Sequence, residues 1–242
     1  MITKTTLISA FAAFACALQS NAATIVWGAL DFSKGVGFGD SSGADLASGS
    51  QVILGVFRMT DSEVQAKSAD LNSANTALAL SALSDLRANF VPFFTGAIGD
   101  GVGGLPGLMS RQDTRDSRTV GTPTIDATSK QIYLWASNST TDALNAGQIG
   151  IFTIDRNTNT NWQIPGEIPV SGSTTIDLSN MTNSNNSALA AGASVIYGNG
   201  ILGTNATLGG PNLALKPAPV PEPSMFALAA LGGVMVALRR RR

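Results

Sequence analysis

Gln131-Ile132-Tyr133-Leu134-Trp135-Ala136, followed after a polar stretch by Gln148-Ile149-Gly150-Ile151-Phe152-Thr153-Ile154-Asp155, decides the fold class. Both runs are short, apolar and rich in β-branched and aromatic residues, as strands are. Alternation along a strand puts Ile132, Leu134 and Ala136 on one face and Tyr133 and Trp135 on the other. In the same way Ile149 and Ile151 oppose Phe152 and Ile154. Similar strings lie at Asn161–Pro165, Thr174–Leu178 and Ala193–Tyr197. Between Ser137 and Ser187, 24 of 51 residues are Ser, Thr or Asn. Those side chains hydrogen-bond locally to backbone and favour turns over helix interiors. Short strands separated by such turns predict a mainly β domain, an antiparallel β-sandwich or a barrel-like sheet.

Working outward towards the N-terminus, Thr24–Leu30 and Gln51–Met59 read as two more strands. The second is almost continuously apolar through Val52, Ile53, Leu54, Val56 and Phe57, which predicts burial on both faces. The Gly- and Ser-rich stretch Asp31–Ser50 between them reads as loop. Thr60 and Glu63 have capping-box spacing, predicting a short helix from Ser62 to about Ala69. A second helix fits Asn75–Phe90, with Leu78, Ala82, Leu86 and Phe90 recurring along one face, Leu83 widening the stripe, and Pro92 as its stop. This helical insertion would cover an open end of the sandwich.

Gly96–Gly107 contains a G-x-G-x-x-G spacing at Gly99, Gly101 and Gly104, but no strand leads through it directly into a helix. It is expected to be a flexible surface loop. The charged run Arg111–Arg118 is expected to be a solvated loop.

The chemistry open to this chain is narrow. It has no histidine, and its one cysteine, Cys16, precedes the body. That removes Ser-His-Asp triads, Cys-His nucleophiles and conventional His/Cys zinc sites. Only Glu63 and Glu167 are glutamates of the body, and its aspartates at 40, 45, 100, 126 and 142 sit where Asp favours turns. Asp40 with Asp45, or Asp100, would be the best oxygen ligands for Ca²⁺, but no EF-hand or repeat spacing supports a site. No catalytic residue, metal site or cofactor is therefore assigned. Trp27, Trp135, Trp162, Tyr133 and Tyr197 would either stack on sugar rings or fill the core. Between Ala23 and Val220 stand 10 basic and 15 acidic residues, about −5 net, so nucleic acid is an unsuitable partner.

The two ends carry address labels. Met1–Lys4 is a short basic n-region, Leu7–Leu18 an apolar h-region, and Ser20-Asn21-Ala22 a small-x-small site. This is the pattern of a secretory signal peptide over residues 1–22, with cleavage after Ala22 and Ala23 as the neighbouring alternative. Acylation at Cys16 is disfavoured by the bulky Phe14. Signal peptidase and the secretion translocon are the implied partners. Gly209 to Val220 contains Pro211, Pro217 and Pro219 and reads as a stiff linker over 209–220, after a β-rich domain over 23–208.

At the other end stand Pro221-Glu222-Pro223-Ser224, an apolar segment Met225–Leu238, and Arg239-Arg240-Arg241-Arg242. Four arginines stay on the cytoplasmic side and halt the segment during export. Its 14 residues are short for a permanent span, which takes about 20, and they cover only ~21 Å as helix. These three parts in order resemble the PEP-CTERM sorting domain of Gram-negative bacteria over roughly the last 22–25 residues. The resemblance implies recognition of Pro221–Ser224 by an exosortase, a membrane-embedded protease or transpeptidase. It also implies a transient transmembrane helix in the inner membrane, then sorting to the cell surface or an extracellular polysaccharide matrix. The body is expected to be structural or adhesive, not an enzyme. The rival reading is a carbohydrate-binding module or a glycoside-acting hydrolase that uses carboxylates and aromatics.

Overall fold

The computed structural model describes residues 23–115, 118–166 and 173–220. The signal segment 1–22 and the tail 221–242, with the helices expected in both, lie outside the described residues. The described chain is mainly β, built from open sheets and two helices.

The centre is a six-stranded antiparallel sheet. Its strands are β3 (Gln51–Phe57), β4 (Phe90–Ala97), β8 (Tyr133–Ser137), β9 (Gln148–Ile154), β11 (Ala193–Tyr197) and β14 (Lys216–Pro217). The order is β11-β9-β8-β3-β4, with β14 pairing the stretch of β9 at Gln148 and Ile149. The alternation expected of β8 and β9 holds. Leu134, Ala136, Phe152 and Ile154 enter one core, with Val52, Leu54 and Val56 of β3. Tyr133, Trp135, Ile149 and Ile151 enter another on the opposite face, with Ile53 and Phe57. That is why β3 is apolar at nearly every position.

Two three-stranded sheets complete the first core. One runs β10 (Ser173–Asp177), β1 (Ala23–Gly28), β5 (Ser110–Arg115), and the other β12 (Gly200–Thr204), β13 (Pro211–Ala214), β2 (Gly37–Gly39). They contribute Ile25, Trp27, Phe38, Ile176 and Leu213. Each contains one parallel pair, β1 with β10 and β13 with β2, so these two sheets are mixed, whereas the central sheet is antiparallel throughout. β6 (Thr119–Val120) and β7 (Ile125–Asp126) form a separate short hairpin.

Three expectations are corrected here. The loop Asp31–Ser50 contains β2, whose Phe38 sits opposite Leu213 of β13. The linker expected over 209–220 is a part of the body: Leu213, Ala214 and Leu215 are buried, and Ala218 N donates to Gly147 O at 2.9 Å. Proline tolerates these places because Pro211 opens its strand and Pro217 lies on an outermost one. The charged run at 111 is strand β5, antiparallel to β1 along its whole length. Its Arg111 donates Nη1 to Asp100 Oδ2 at 2.7 Å and Nη2 to Asp113 Oδ1 at 2.8 Å.

The helices α1 (Asp61–Leu71) and α2 (Thr76–Asn89) lie where expected. Thr60 N donates to Glu63 Oε2 at 2.8 Å and Glu63 N to Thr60 Oγ1 at 3.3 Å, closing the capping box. The Asn75 carboxamide oxygen accepts from Ala77 N at 3.0 Å and Leu78 N at 3.2 Å, starting α2. The buried stripe is Ala79, Ala82, Leu83 and Leu86, and Leu78 is 48% exposed. Of these, Ala82, Leu83 and Leu86 join the core shared with the central sheet. The helix pair covers the open face of the central sheet, not an end of it. Phe90 belongs to β4, and Pro92 stands exposed inside that strand, where the β3–β4 register shifts between Leu54 and Gly55. A Cβ on Gly55 would lie 2.5 Å from Phe90 Cζ, so glycine is what lets the ring close over the sheet.

Candidate functional site

Four element ends meet at one edge of the helix-covered face. Asp61, Ser62 and Gln65 come from the first turns of α1, and Gln131 and Tyr133 from the entry to β8. Thr153, Asp155 and Asn157 come from the exit of β9, and Gly192 and Ser194 from the entry to β11. They enclose a cleft of about 380 Å³. Among the described residues no aliphatic side chain lines it. A smaller hollow of about 170 Å³ lies beside it, sharing Asp61 and Gln131 and adding Lys130 and Arg156.

The floor is buried and fully engaged. Gln131 Nε2 donates to Thr153 Oγ1 at 2.7 Å and to the carbonyl of Ile154, while its Oε1 accepts from Arg156 N at 2.9 Å. Thr153 Oγ1 donates to Ile132 O at 2.6 Å. These bonds satisfy backbone groups where the strands of β8 and β9 diverge. Tyr133 donates its hydroxyl to Asp61 Oδ1 at 3.2 Å. Burial, then the neighbouring Asp61 charge, push this phenol well above its usual range, so it remains a donor. Arg156 Nη2 meets Asp61 Oδ2 at 3.2 Å.

The rim is open. Asp155 Oδ1 accepts from Asn157 N and from Asn157 Nδ2, each at 2.9 Å, and its Oδ2 has no partner among the described residues. Gln65 is exposed and Ser194 half-buried, and neither side chain has a described hydrogen-bond partner. The cleft thus offers acceptors and donors in one place, with two carboxylates in its lining and Arg156 and Lys130 in the hollow beside it. Nothing in the sequence around Asp61 or Asp155 marks either as a site residue. Each is an aspartate at an element end, where a capping role is the ordinary reading, and only the fold brings them to one cleft.

The aromatic and acidic residues that the sequence offers as site candidates have other uses. Trp27, Trp135, Trp162, Tyr133 and Tyr197 are all buried, so none forms a surface platform for a sugar ring. Trp27 Nε1 donates to Asp113 Oδ2 at 2.8 Å and Trp135 Nε1 to Ala143 O at 3.1 Å. Asp40 Oδ1 caps its own turn through Ser42 N at 2.8 Å. Asp45 Oδ1 accepts from Asn212 Nδ2 at 2.9 Å, and Asp100 holds Arg111. Among the described residues no three His, Cys, Asp or Glu side chains gather as metal ligands would, and no helix there is long and apolar enough to cross a membrane.

Of the address residues, Ala23 is the first residue of β1, and Val220 stands 71% exposed where the body ends. Ala22, Pro221, Glu222, Pro223, Ser224 and Arg239 to Arg242 lie outside the described residues. Residues 219–242 match the PEP-CTERM protein-sorting motif. The match supports an exported chain whose processing partner is an exosortase. No curated protein and no solved structure matches the chain.

Proposed function

We propose that this chain is an exported protein sorted by an exosortase, whose body has a structural or adhesive, non-enzymatic role at the surface or in the extracellular polysaccharide matrix of a Gram-negative bacterium. The observation that carries the sorting half is the match over residues 219–242, immediately beyond the last fixed residues of the body. Export begins with the translocon and signal peptidase, which cuts after Ala22 so that β1 starts the mature chain. The apolar segment Met225–Leu238 then holds the chain in the inner membrane, with Arg239 to Arg242 retained on the cytoplasmic side. Glu222 stands between Pro221 and Pro223 and is the one charged residue of the motif that an exosortase would read.

The non-enzymatic half is supported by the lack of any histidine and of a cysteine in the body, and by the internal engagement of Asp61 with Tyr133 and Arg156. The buried tryptophans suit a body whose aromatics serve packing.

Membrane fractionation with intact-mass measurement tests the sorting reading. Wild-type protein is expected to lose its tail and leave the inner membrane. Glu222→Ala should leave a longer, membrane-retained form, and so should loss of the exosortase. Removing Arg239 to Arg242 should let the chain escape unprocessed. Equal mass and equal membrane fraction for wild type and Glu222→Ala would reduce the tail to a short anchor.

A further inference from the structure

We propose that the polar cleft between the start of α1 and the ends of β8, β9 and β11 binds a neutral polyhydroxylated ligand, one or two rings of a sugar chain. The cleft owes nothing to the tail, so this proposal stands or falls apart from the sorting reading. Four observations lead to it. Its volume of about 380 Å³ is within the range of small-ligand sites, roughly 300–1,000 Å³, and leaves room for more than a few waters. Its described lining is made of polar side chains, Tyr133 and Gly192, so an apolar ligand would leave their hydrogen-bonding groups unmet. Its floor is preorganised: Gln131, Tyr133 and Thr153 are buried and hydrogen-bonded, so they need no reordering when a ligand arrives. Its rim keeps unused capacity in Asp155 Oδ2, Gln65 and Ser194.

Charge then selects the class. The cleft's own charged side chains are two carboxylates, which repel an anionic ligand. Of the two cations in the neighbouring hollow, Arg156 is turned onto Asp61 at 3.2 Å and Lys130 lies outside the cleft lining. A bare divalent cation needs six or more oxygens drawn tightly around it. Here Asp61 is shared with Arg156 and Tyr133, and among the described residues no third carboxylate stands near. Hydroxyl groups of a sugar both donate and accept. They suit a set in which Asp155 only accepts, whereas Gln65 and Ser194 do both. A hydroxyl donated to the free oxygen of Asp155 would form a charge-assisted bond, the strongest the cleft can make. With no exposed aromatic in the lining, binding rests on hydrogen bonds, and a single ring should bind weakly and a chain of rings better.

Saturation-transfer NMR and calorimetry on the purified protein test this. The probes are neutral hexoses and their oligosaccharides, with an oligouronate and CaCl₂ as the anionic and cationic alternatives. Neutral oligosaccharides are expected to take up saturation and to bind more tightly than the monosaccharide. Asp155→Asn and Gln65→Ala, both at exposed positions, should each weaken binding about fivefold to tenfold, the worth of one hydrogen bond. Ser194→Trp should abolish binding by filling the cleft. Melting temperatures measured alongside show that the variants fold, and if Ser194→Trp does not fold the other two carry the test. The proposal is overturned if no neutral sugar binds, if only the oligouronate or Ca²⁺ does, or if sugar binding is the same in wild type, Asp155→Asn and Gln65→Ala.

Discussion

The two faces of the central sheet are covered in opposite ways. The face of Ile53, Tyr133 and Trp135 is roofed by the contiguous segment from Asp61 to Asn89, which folds back beside the strands that flank it. The face of Val52, Leu134 and Phe152 is covered by β1, β2, β10 and β13, strands drawn from the two ends of the body. Local chain closes one face, and long-range pairing closes the other. Closing loops between distant segments is entropically costlier and slower than joining neighbours. The far face should therefore be the one whose loss unfolds the domain, whereas the helical roof should tolerate trimming at its surface.

The largest expected effect follows from that difference. Leu213 is fully buried in β13, inside a stretch whose proline content suggests a linker. Leu213→Ala should destabilise the body by about 2–5 kcal/mol, the usual cost of emptying a core leucine site. Urea unfolding followed by tryptophan fluorescence measures it. An unchanged midpoint would mean that 209–220 is a tether after all and that the far face closes without it.

What was legible in the sequence divides along the same line. The capping box at Thr60 and Glu63, the helix after Asn75 and the alternation of β8 and β9 are signals contained within a few residues, and each appears where the sequence puts it. β2 and β13 are invisible to such reasoning. Gly37-Phe38-Gly39 has no periodicity, and its partner Asn212-Leu213-Ala214 follows a proline. Only their pairing makes them strands. Asp61 and Asp155 escaped for the same reason, because a cleft assembled from four element ends has no spacing in the chain. The sorting signal was legible because it is a linear motif.

A middle-sized effect probes the far face through its charges. Arg111 holds Asp113 through two hydrogen bonds, with Trp27 Nε1 adding a third, and this keeps the Asp113 carboxyl below its usual value of 3.8. A carboxyl with a depressed folded pKa contributes stability that is fully present above the unfolded value and is lost as pH falls through the folded one. Wild type should thus be more stable than Asp113→Asn at neutral pH. The two should converge as pH falls from about 5 through the carboxylate range. Urea midpoints at several pH values measure the gap. A gap that stays constant down to the lowest pH would assign the role of Asp113 to shape instead of charge.

The smallest effects belong to the helical roof, and two substitutions there separate capping from packing. Thr60 closes the capping box with Glu63, so Thr60→Ala removes an acceptor for an otherwise unpaired helix N–H and should cost about 1 kcal/mol. Leu78 has the spacing of a core residue but is 48% exposed, since α2 turns Ala79, Ala82 and Leu83 inward. Leu78→Ala should therefore stay within about 0.5 kcal/mol of wild type, because alanine's higher helix propensity offsets the little apolar area lost. Thermal unfolding of the two variants side by side decides between this packing and the one suggested by the recurrence of Leu78, Ala82 and Leu86. If Leu78→Ala costs 2 kcal/mol or more, as a core leucine would, then α2 is rotated so that Leu78 faces the sheet. The face made by Ala82, Leu83 and Leu86 could not then be what seats the roof.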